Sequence, residues 1–346
     1  MSYELYVEKP QSNIVTQLRL LVCEDSITAA RKFVQMVHSH RDRNGNRSPS
    51  EYERFIAQEK SLYIEPLGFI PSSPDISVLP PGSWFLQFTF TLAKPWMSKD
   101  DDPFYVAESV NPVRKDKVFK VPMMSAASWK GLLRWTTMHT RLALKKDKLI
   151  PERFAEERFV QTLLFGDEKG EESEQTKDFA SYVDALKPEA RQEYERLLRA
   201  YYGLKMDDPL PHHSGRLIFY PTFFDQIDVE VINPHSRETK AGTKPIYLEC
   251  VPEGAKGTFS LLYIPFDLIG QSQETMADEA GKHLRYLAPI IKNLFLTYGF
   301  SAKRTSGYGA AKDEIIQGEI KTRAGGHDLT GKKLSQLAQE VKNVNI

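Results

Sequence analysis

The chain has 346 residues, 41% of them apolar and 11% aromatic, which is enough for one large domain with insertions or for two ordinary ones. Its 46 basic and 46 acidic residues cancel, so bulk charge selects neither for nor against a polyanionic partner. Cys23 and Cys250 form neither a metal-type spacing nor a disulfide framework, the opening MSYELYVEKP does not read as a signal peptide, and no apolar run approaches the ~20 residues of a membrane span, so the expected setting is cytoplasmic with no membrane contact.

Residues 1–80 read as a partly helical N-terminal extension. A helix near Ser26–His38 has Asp25 or Ser26 as its cap and Ile27, Ala30, Phe33, Val34 and Val37 as its apolar stripe. The polar RDRNGNRSPS is a loop, and a second helix follows from Pro49 to about Lys60. Ile70–Gly82 reads as a linker. WFLQFTFTLA is the clearest strand, because Trp84, Leu86, Phe88, Phe90 and Leu92 alternate with Phe85, Gln87, Thr89 and Thr91. Lys94–Val121 is too long for an ordinary connection, so it is read as either functional or mobile. A helix from Ser125 to about Lys146 buries Trp129, Leu132, Leu133 and Thr136, and its spacing places Lys130, Arg134, Arg141 and Lys145 on one face.

Residues 151–210 form a helical acidic insertion whose last helix ends near Gly203. Strand patterns return at Gly215–Phe224 and Gly257–Leu268, with a hairpin-like excursion over residues 225–254. A helix from about Met276 to Tyr298 leads to a glycine-rich turn and a last strand near Asp313–Gln317. The polar tail, 323–346, is expected to be loosely held. From residue 81 to 322 the order is therefore strand, helix, strand, strand, helix, strand. That is an α+β, ferredoxin-like (RRM-like) βαββαβ core. Order alone assigns no function.

Charge is unevenly spread. Pro81–Ile150 has 12 Lys or Arg against 6 Asp or Glu, whereas Pro151–Leu210 has 9 against 15, so a polyanion surface is expected on one part only. Three motifs fall on that pattern. VPMMSAASWKGLLRW, Val121–Trp135, opens a helix with Ser125 and Ser128, whose free N–H groups and positive dipole end attract phosphate, while Lys130 and Arg134 add charge. A capped amphipathic helix with a solvated basic face needs the same residues. LLFGDEKG and HSGRLIFYPTFFD, around Gly166 and Gly215, are a turn and an edge-type strand. In SAKRTSGYGAAK, Lys303 and Arg304 supply charge, Thr305 and Ser306 donate to phosphate oxygens, Gly307 and Gly309 allow close backbone approach, and Tyr308 offers a ring to a base.

Taken together, the three motifs resemble the RAMP superfamily of CRISPR-associated proteins, over about Trp84–Gln317. Pro122, Ser125, Ser128, Lys130, Gly131 and Arg134 match a P-G-S-S-x-K-G-x-x-R-like helix start. Phe165, Gly166, Gly215, Arg216 and Leu217 match an F-G … G-R-L pair, and Gly307, Tyr308 and Gly309 match a G-Y-G-type loop. The likeness is greatest to the backbone-subunit group of type III effectors. It implies a ferredoxin-like core that packs beside similar subunits along a guide RNA, so the implied partners are guide RNA, target RNA and other CRISPR effector subunits. It also implies that the loop over residues 94–121 is a thumb that kinks the guide–target duplex. Arg114 and Lys115, in that loop, join the expected RNA contacts.

In that group a thumb aspartate in an I-D-x-P-V-like stretch supports metal-dependent cutting of target RNA. Here the matching text is SVNPVRKD, and Val110 and Asn111 stand where the carboxylate is expected, which puts cleavage in question. Asp100, Asp101 and Asp102, earlier in the loop, are the substitutes that could hold Mg²⁺; without cleavage no cofactor is expected. His212 and His213 suggest a general acid–base for guide-RNA processing. An assembly subunit with little RNA contact is the third alternative to an RNA-binding backbone subunit.

Overall fold

The structure, a computed structural model, describes residues 14–23, 27–37, 39–41, 47–100, 110–167, 179–232 and 246–346. It opens with helices α1 (Ile14–Cys23) and α2 (Ile27–Val37), a short ladder of β1 (His40–Arg41) with β2 (Arg47–Ser48), and α3 (Glu51–Glu59), continued by one widened turn over Lys60–Ile64. Ser50 caps α3 through a capping box. Its hydroxyl accepts the Glu53 N–H, and the Glu53 carboxylate accepts the Ser50 N–H.

The strand read at WFLQFTFTLA is β3 (Trp84–Thr91). It is followed by β4 (Val110–Asn111), β5 (Met123–Met124) and α4 (Ala126–Arg141). The acidic insertion is helical as expected, with α5 (Pro151–Phe165), α6 (Phe179–Leu186) and α7 (Arg191–Tyr202), which ends at Gly203 in a left-handed conformation. Then come β6 (Leu217–Phe219), β7 (Thr222–Phe223), the hairpin strands β8 (Asp228–Ile232) and β9 (Ile246–Cys250), β10 (Lys256–Tyr263), α8 (Gln273–Asn293), β11 (Gln317–Thr322), β12 (Gly325–Asp328) and α9 (Leu337–Glu340).

The main sheet runs β12-β11-β3-β10-β6, and every neighbouring pair is antiparallel. The fold is thus α+β, with β3 as the central strand. The alternation of β3 sends Trp84, Leu86, Phe88 and Phe90 to one face, where Trp129 and Leu133 of α4 and Leu284, Leu287 and Ile291 of α8 cover them. Phe85 points the other way, against Ile76, Leu262 and Ile264. The stretch read as a linker therefore lies on the second face of the sheet, where Gln87 Nε2 also donates to the Pro71 carbonyl at 2.8 Å. The extension packs into the same apolar cluster through Leu18, Phe33, Val37, Tyr52, Ile56 and Ile64.

Three expectations are corrected. The last strand lies at 317–322 instead of 313–317, because Asp313 serves as a cap, accepting the Ser335 N–H and hydroxyl at 2.7 Å each. The tail is not loosely held: β12 extends the sheet, and Leu329, Leu334, Leu337 and Val341 are buried in the main core. The basic face of α4 is not a free surface. Arg134 donates to the carbonyls of Asp167 at 2.9 Å and Gly166 at 3.1 Å and lies over the Phe179 ring, while Arg141 donates to the Tyr286 carbonyl and lies over its ring. Among the described residues no helix is long and apolar enough to cross a membrane.

The F-G … G-R-L pair also proves to be architecture. Gly166 has φ +84°, and a Cβ on Gly215 would lie 2.4 Å from both the Gly166 nitrogen and the Phe165 carbonyl carbon, so only glycine allows the two backbones to touch. Arg216 then turns inward and is 2% exposed. Its guanidinium meets Asp267 at 2.6 Å and Glu279 at 2.6 Å, with the Tyr201 and Tyr263 hydroxyls at 3.0 and 3.2 Å. Burial alone would lower its affinity for the proton, but the two carboxylates outweigh it and raise it.

Candidate nucleic-acid interface

The chain leaves β3 and runs Trp96–Asp100 directly beneath the glycine-rich loop. Trp96 Nε1 donates to the Phe300 carbonyl at 2.9 Å. The Ser301 hydroxyl accepts the Met97 N–H at 2.9 Å and donates to the Met97 carbonyl at 3.0 Å, and the Ala302 N–H reaches that same carbonyl at 2.9 Å. On the helix side, the Trp129 ring lies 5.0 Å from Phe300, and Trp129 Nε1 donates to Thr222 Oγ1 at 2.9 Å. These contacts bring the first motif and the third together, although they are far apart in sequence.

Between them lies a cleft of about 290 Å³ lined by Ser128, Gly131 and Leu132 of α4, Ser301 and Ala302 of the loop segment, and Ser98 and Arg114 from the two ends of the thumb loop. It adjoins a second hollow of about 460 Å³ that shares Met97, Ser98 and Ala302 and adds Lys99, Asp100, Asn111, Leu248 and Lys303. The cations on this groove are Arg114, Lys99 and Lys303, and its carboxylates are Asp100 and Glu249, the latter paired with Lys115. Ser125 caps α4: its hydroxyl accepts the Ser128 N–H at 3.2 Å and sits 2.9 Å from Ser128 Oγ. The cap satisfies the Ser128 N–H, whereas the Ala126 and Ala127 N–H groups have no acceptor within the helix.

The glycine-rich loop is held at both ends. Gly309, φ +71°, donates to the Pro95 carbonyl at 2.8 Å, and a Cβ there would lie 2.4 Å from the Ser301 Cβ. Lys303 adopts a left-handed φ of +58° and is exposed, as are Thr305, Ser306 and Gly307. Arg304 lies over the Trp135 ring of α4, 4.5 Å from its centroid. Tyr308, expected to offer its ring to a base, is tied down through its hydroxyl. Its hydroxyl donates to Glu230 Oε1 on β8 at 2.5 Å. Burial and that carboxylate push its proton affinity up to about 12.

The expected RNA contacts therefore divide. Ser128, Arg114 and Lys303 line the groove, Ser125 caps the helix that supplies Ser128, Thr305, Ser306 and Gly307 are exposed in the loop after Lys303, and Lys130 is half-buried one turn into α4. Arg134 is corrected to a latch on the Gly166 turn. Lys115 is corrected to a buried residue, 4% exposed, whose Nζ lies 2.5 Å from Glu249 Oε2; a lysine spent on that pair cannot also meet phosphate. Sequence reading missed Ser98, Lys99 and Ser301. Ser301 opens the quoted motif, but nothing in its pattern marks the bonds to Met97.

The carboxylates do not assemble a metal set among the described residues. Asp100 Oδ2 accepts the Lys115 backbone N–H at 3.4 Å, Glu249 is held by Lys115 and by the Val113 N–H, and no group of three metal-type donors occurs. Asp101 and Asp102 lie outside the described residues. Asn111 donates to the Tyr247 carbonyl at 3.3 Å as part of β4, which pairs in parallel with β9. Asp116 closes its own turn by accepting the Val118 and Phe119 N–H groups. His213 is buried against the Tyr202 hydroxyl at 2.7 Å and His212 sits beside Asp167, both just after the insertion and packed on it, and neither is among the groove-lining residues.

A family model described as RAMP superfamily matches residues 103–312. Among solved structures, a chain of a type III-B Cmr-beta complex bound to cognate target RNA aligns at 12% identity and TM-score 0.38, over 80% of this chain and 69% of that one. A chain of a CRISPR RNA-guided surveillance complex, pre-nicking, aligns at 11% and 0.36 over 69% and 77%. Cmr6 from Pyrococcus furiosus aligns at 11% and 0.30 over 66% and 97%. No curated protein sequence matches the chain.

Proposed function

The chain belongs to the RAMP superfamily, and on that premise we propose that it is an RNA-binding subunit of a type III CRISPR effector complex, working in antiviral defence. It holds guide RNA, and the guide–target duplex, by the phosphate backbone and without reading sequence. Its partners are then the guide, the target and the neighbouring effector subunits. The reading of the core as ferredoxin-like is supported by the strand order: β11-β3-β10-β6 is last, first, third and second of the four core strands, with α4 and α8 as the two crossovers.

The observation that carries the proposal is the shared groove. The first turns of α4, the segment leading into the glycine-rich loop and the two ends of the thumb loop line two adjoining hollows that share Met97, Ser98 and Ala302, with Arg114 on the first and Lys99 and Lys303 on the second. Backbone N–H groups at a helix start, hydroxyls and dispersed cations are the donor set that suits phosphate oxygens. Cutting of RNA through a thumb carboxylate forms no part of the proposal. Val110 and Asn111 occupy the expected position, and the described donors do not fit a Mg²⁺ ion.

The test is a filter-binding titration of the full chain with single-stranded RNA of mixed sequence across a range of salt. The double variant Arg114→Ala with Lys303→Ala is expected to reduce the slope of log K against log salt by about 1.4, since each phosphate contact on a single strand contributes about 0.7. An unchanged slope removes this groove as the RNA-binding surface.

A further inference from the structure

We propose that Glu230 and Tyr308 form a positioning latch that sets the glycine-rich loop against the thumb base. This inference rests on the RNA-binding reading above and adds to it a residue, Glu230, that no motif contains. The latch explains why the middle residue of the G-Y-G turn carries a hydroxyl.

The argument starts from the β8–β9 ribbon. In its register Val229 faces Glu249 and Glu230 faces Leu248. Side chains directly opposite share a face and successive ones alternate, so Glu249 and Glu230 project from opposite faces of the ribbon. Each grips a different wall of the groove. Glu249 takes Lys115 Nζ at 2.5 Å and the Val113 N–H at 3.1 Å, which fixes the returning limb of the thumb loop. Glu230 takes the Tyr308 hydroxyl at 2.5 Å, which fixes the far end of the glycine-rich loop. The ribbon is thus the common support of Arg114 on one wall and Lys303 on the other.

The Glu230 bond has the features of a committed contact. Its second oxygen, Oε2, is buried and makes no hydrogen bond with the described residues, so Tyr308 is the donor that offsets the burial of that carboxylate. Between the two anchors Lys303, Thr305, Ser306 and Gly307 are exposed, Arg304 alone lying against the Trp135 ring, and Gly307, φ +82°, has open space around it. Ser301 and Ala302 hold the near end through Met97, and Gly309 and Tyr308 hold the far end. With the Tyr308 bond removed, Lys303–Gly307 loses one of its supports and samples more conformations, and phosphate binding must reorder it.

Three single variants and a double test this: Tyr308→Phe, Glu230→Ala, Glu230→Gln, and Tyr308→Phe with Glu230→Ala. Hydrogen exchange of residues 302–307 is measured in the free full chain, and RNA binding is measured with its salt dependence. Tyr308→Phe and Glu230→Ala are expected to speed exchange and to weaken RNA roughly fivefold to tenfold, less than the full worth of one hydrogen bond to a charged group because the loop keeps its other supports, at the parent salt slope because no phosphate contact is lost. The double variant is expected to be no worse than either single, and Glu230→Gln, which keeps an acceptor oxygen, to recover most of the affinity. If the Tyr308 ring acts by stacking on a base, Tyr308→Phe binds like the parent, which overturns the latch. Unchanged exchange in Tyr308→Phe overturns it as well. A parent slope in Lys303→Ala instead overturns the RNA-binding reading, and with it the purpose given to the latch.

Discussion

Replacing Lys115 by Met is expected to weaken the base of the thumb loop while leaving the salt dependence of RNA binding at the parent value. The two side chains of the Lys115–Glu249 pair are 2% and 0% exposed and 2.5 Å apart. In so dry a setting the attraction largely offsets the cost of desolvating two charges, so the intact pair contributes little net stability. Removing one partner is different. Glu249 keeps the Val113 N–H but loses its counter-charge, and an uncompensated buried carboxylate costs roughly 3–5 kcal/mol. Met fills most of the lysine stem, so the packing loss adds less than about 1.5 kcal/mol. Adding Glu249→Gln removes the second charge while leaving an oxygen for Val113, and the double variant is expected to return most of the lost stability. Hydrogen exchange over residues 110–115 and 246–250 reads the local loss directly, and a urea titration reads its share of the whole. The reasoning is refuted if Lys115→Met matches the parent in both while its salt slope falls by about 0.7, the worth of one phosphate contact.

Two further outcomes follow from the core. Gly215→Ala places a methyl 2.4 Å from the Gly166 nitrogen, against backbone that cannot swing aside, and is expected to cost more than about 3 kcal/mol or to abolish soluble expression, whereas an alanine at Gly131, with open space around it, is expected to be neutral or stabilising by thermal denaturation. His283, buried against the Tyr263 hydroxyl and beside Arg216, has its proton affinity lowered to about 3, first by burial and then by that guanidinium. Its unfolded value is about 6.5, so below that pH the unfolded chain takes up a proton that the folded chain refuses, and stability falls as the medium is acidified. Between pH 7 and pH 5 this contributes a loss of about 2 kcal/mol, which His283→Gln is expected to remove in paired urea titrations. An equal loss in both proteins assigns the acid sensitivity to other groups.

The frame was legible because it rests on periodicity and glycine. The alternation from Trp84 to Leu92, the cap at Ser125 and the stop at Gly203 are local rules, and local rules survive folding. The sequence also pointed to the meeting of the α4 start with the glycine-rich loop, through motif order and resemblance. The roles of individual cations were not legible. Arg134 and Lys303 look alike in a one-dimensional text, yet the first spends its donors on the Gly166 turn and the second stands exposed at the groove. Their difference is set by residues 32 and 204 positions away from the neighbours that decide it: Gly166 for Arg134 and Lys99 beside Lys303. Lys115 is the sharpest case, because its partner Glu249 lies across a hairpin whose pairing with β4 no short-range pattern announces.

The same facts explain why a chain of zero net charge can offer a basic groove. The acidic residues are not spread evenly against the basic ones. Several are spent in internal pairs: Glu249 with Lys115, Asp267 and Glu279 with Arg216, and Asp184 with Arg158. Such pairs cancel within the fold and project little field outward, whereas Arg114, Lys99 and Lys303 flank a hollow whose walls are largely apolar. On the proposed reading a phosphate arriving there meets three cations and the Asp100 carboxylate, and its attraction depends on that local arrangement, not on the sum over the chain. By this argument, moving a carboxylate into the groove, as in Ala302→Glu, is expected to weaken RNA more than placing the same charge on the exposed face of α7, although both change the net charge equally.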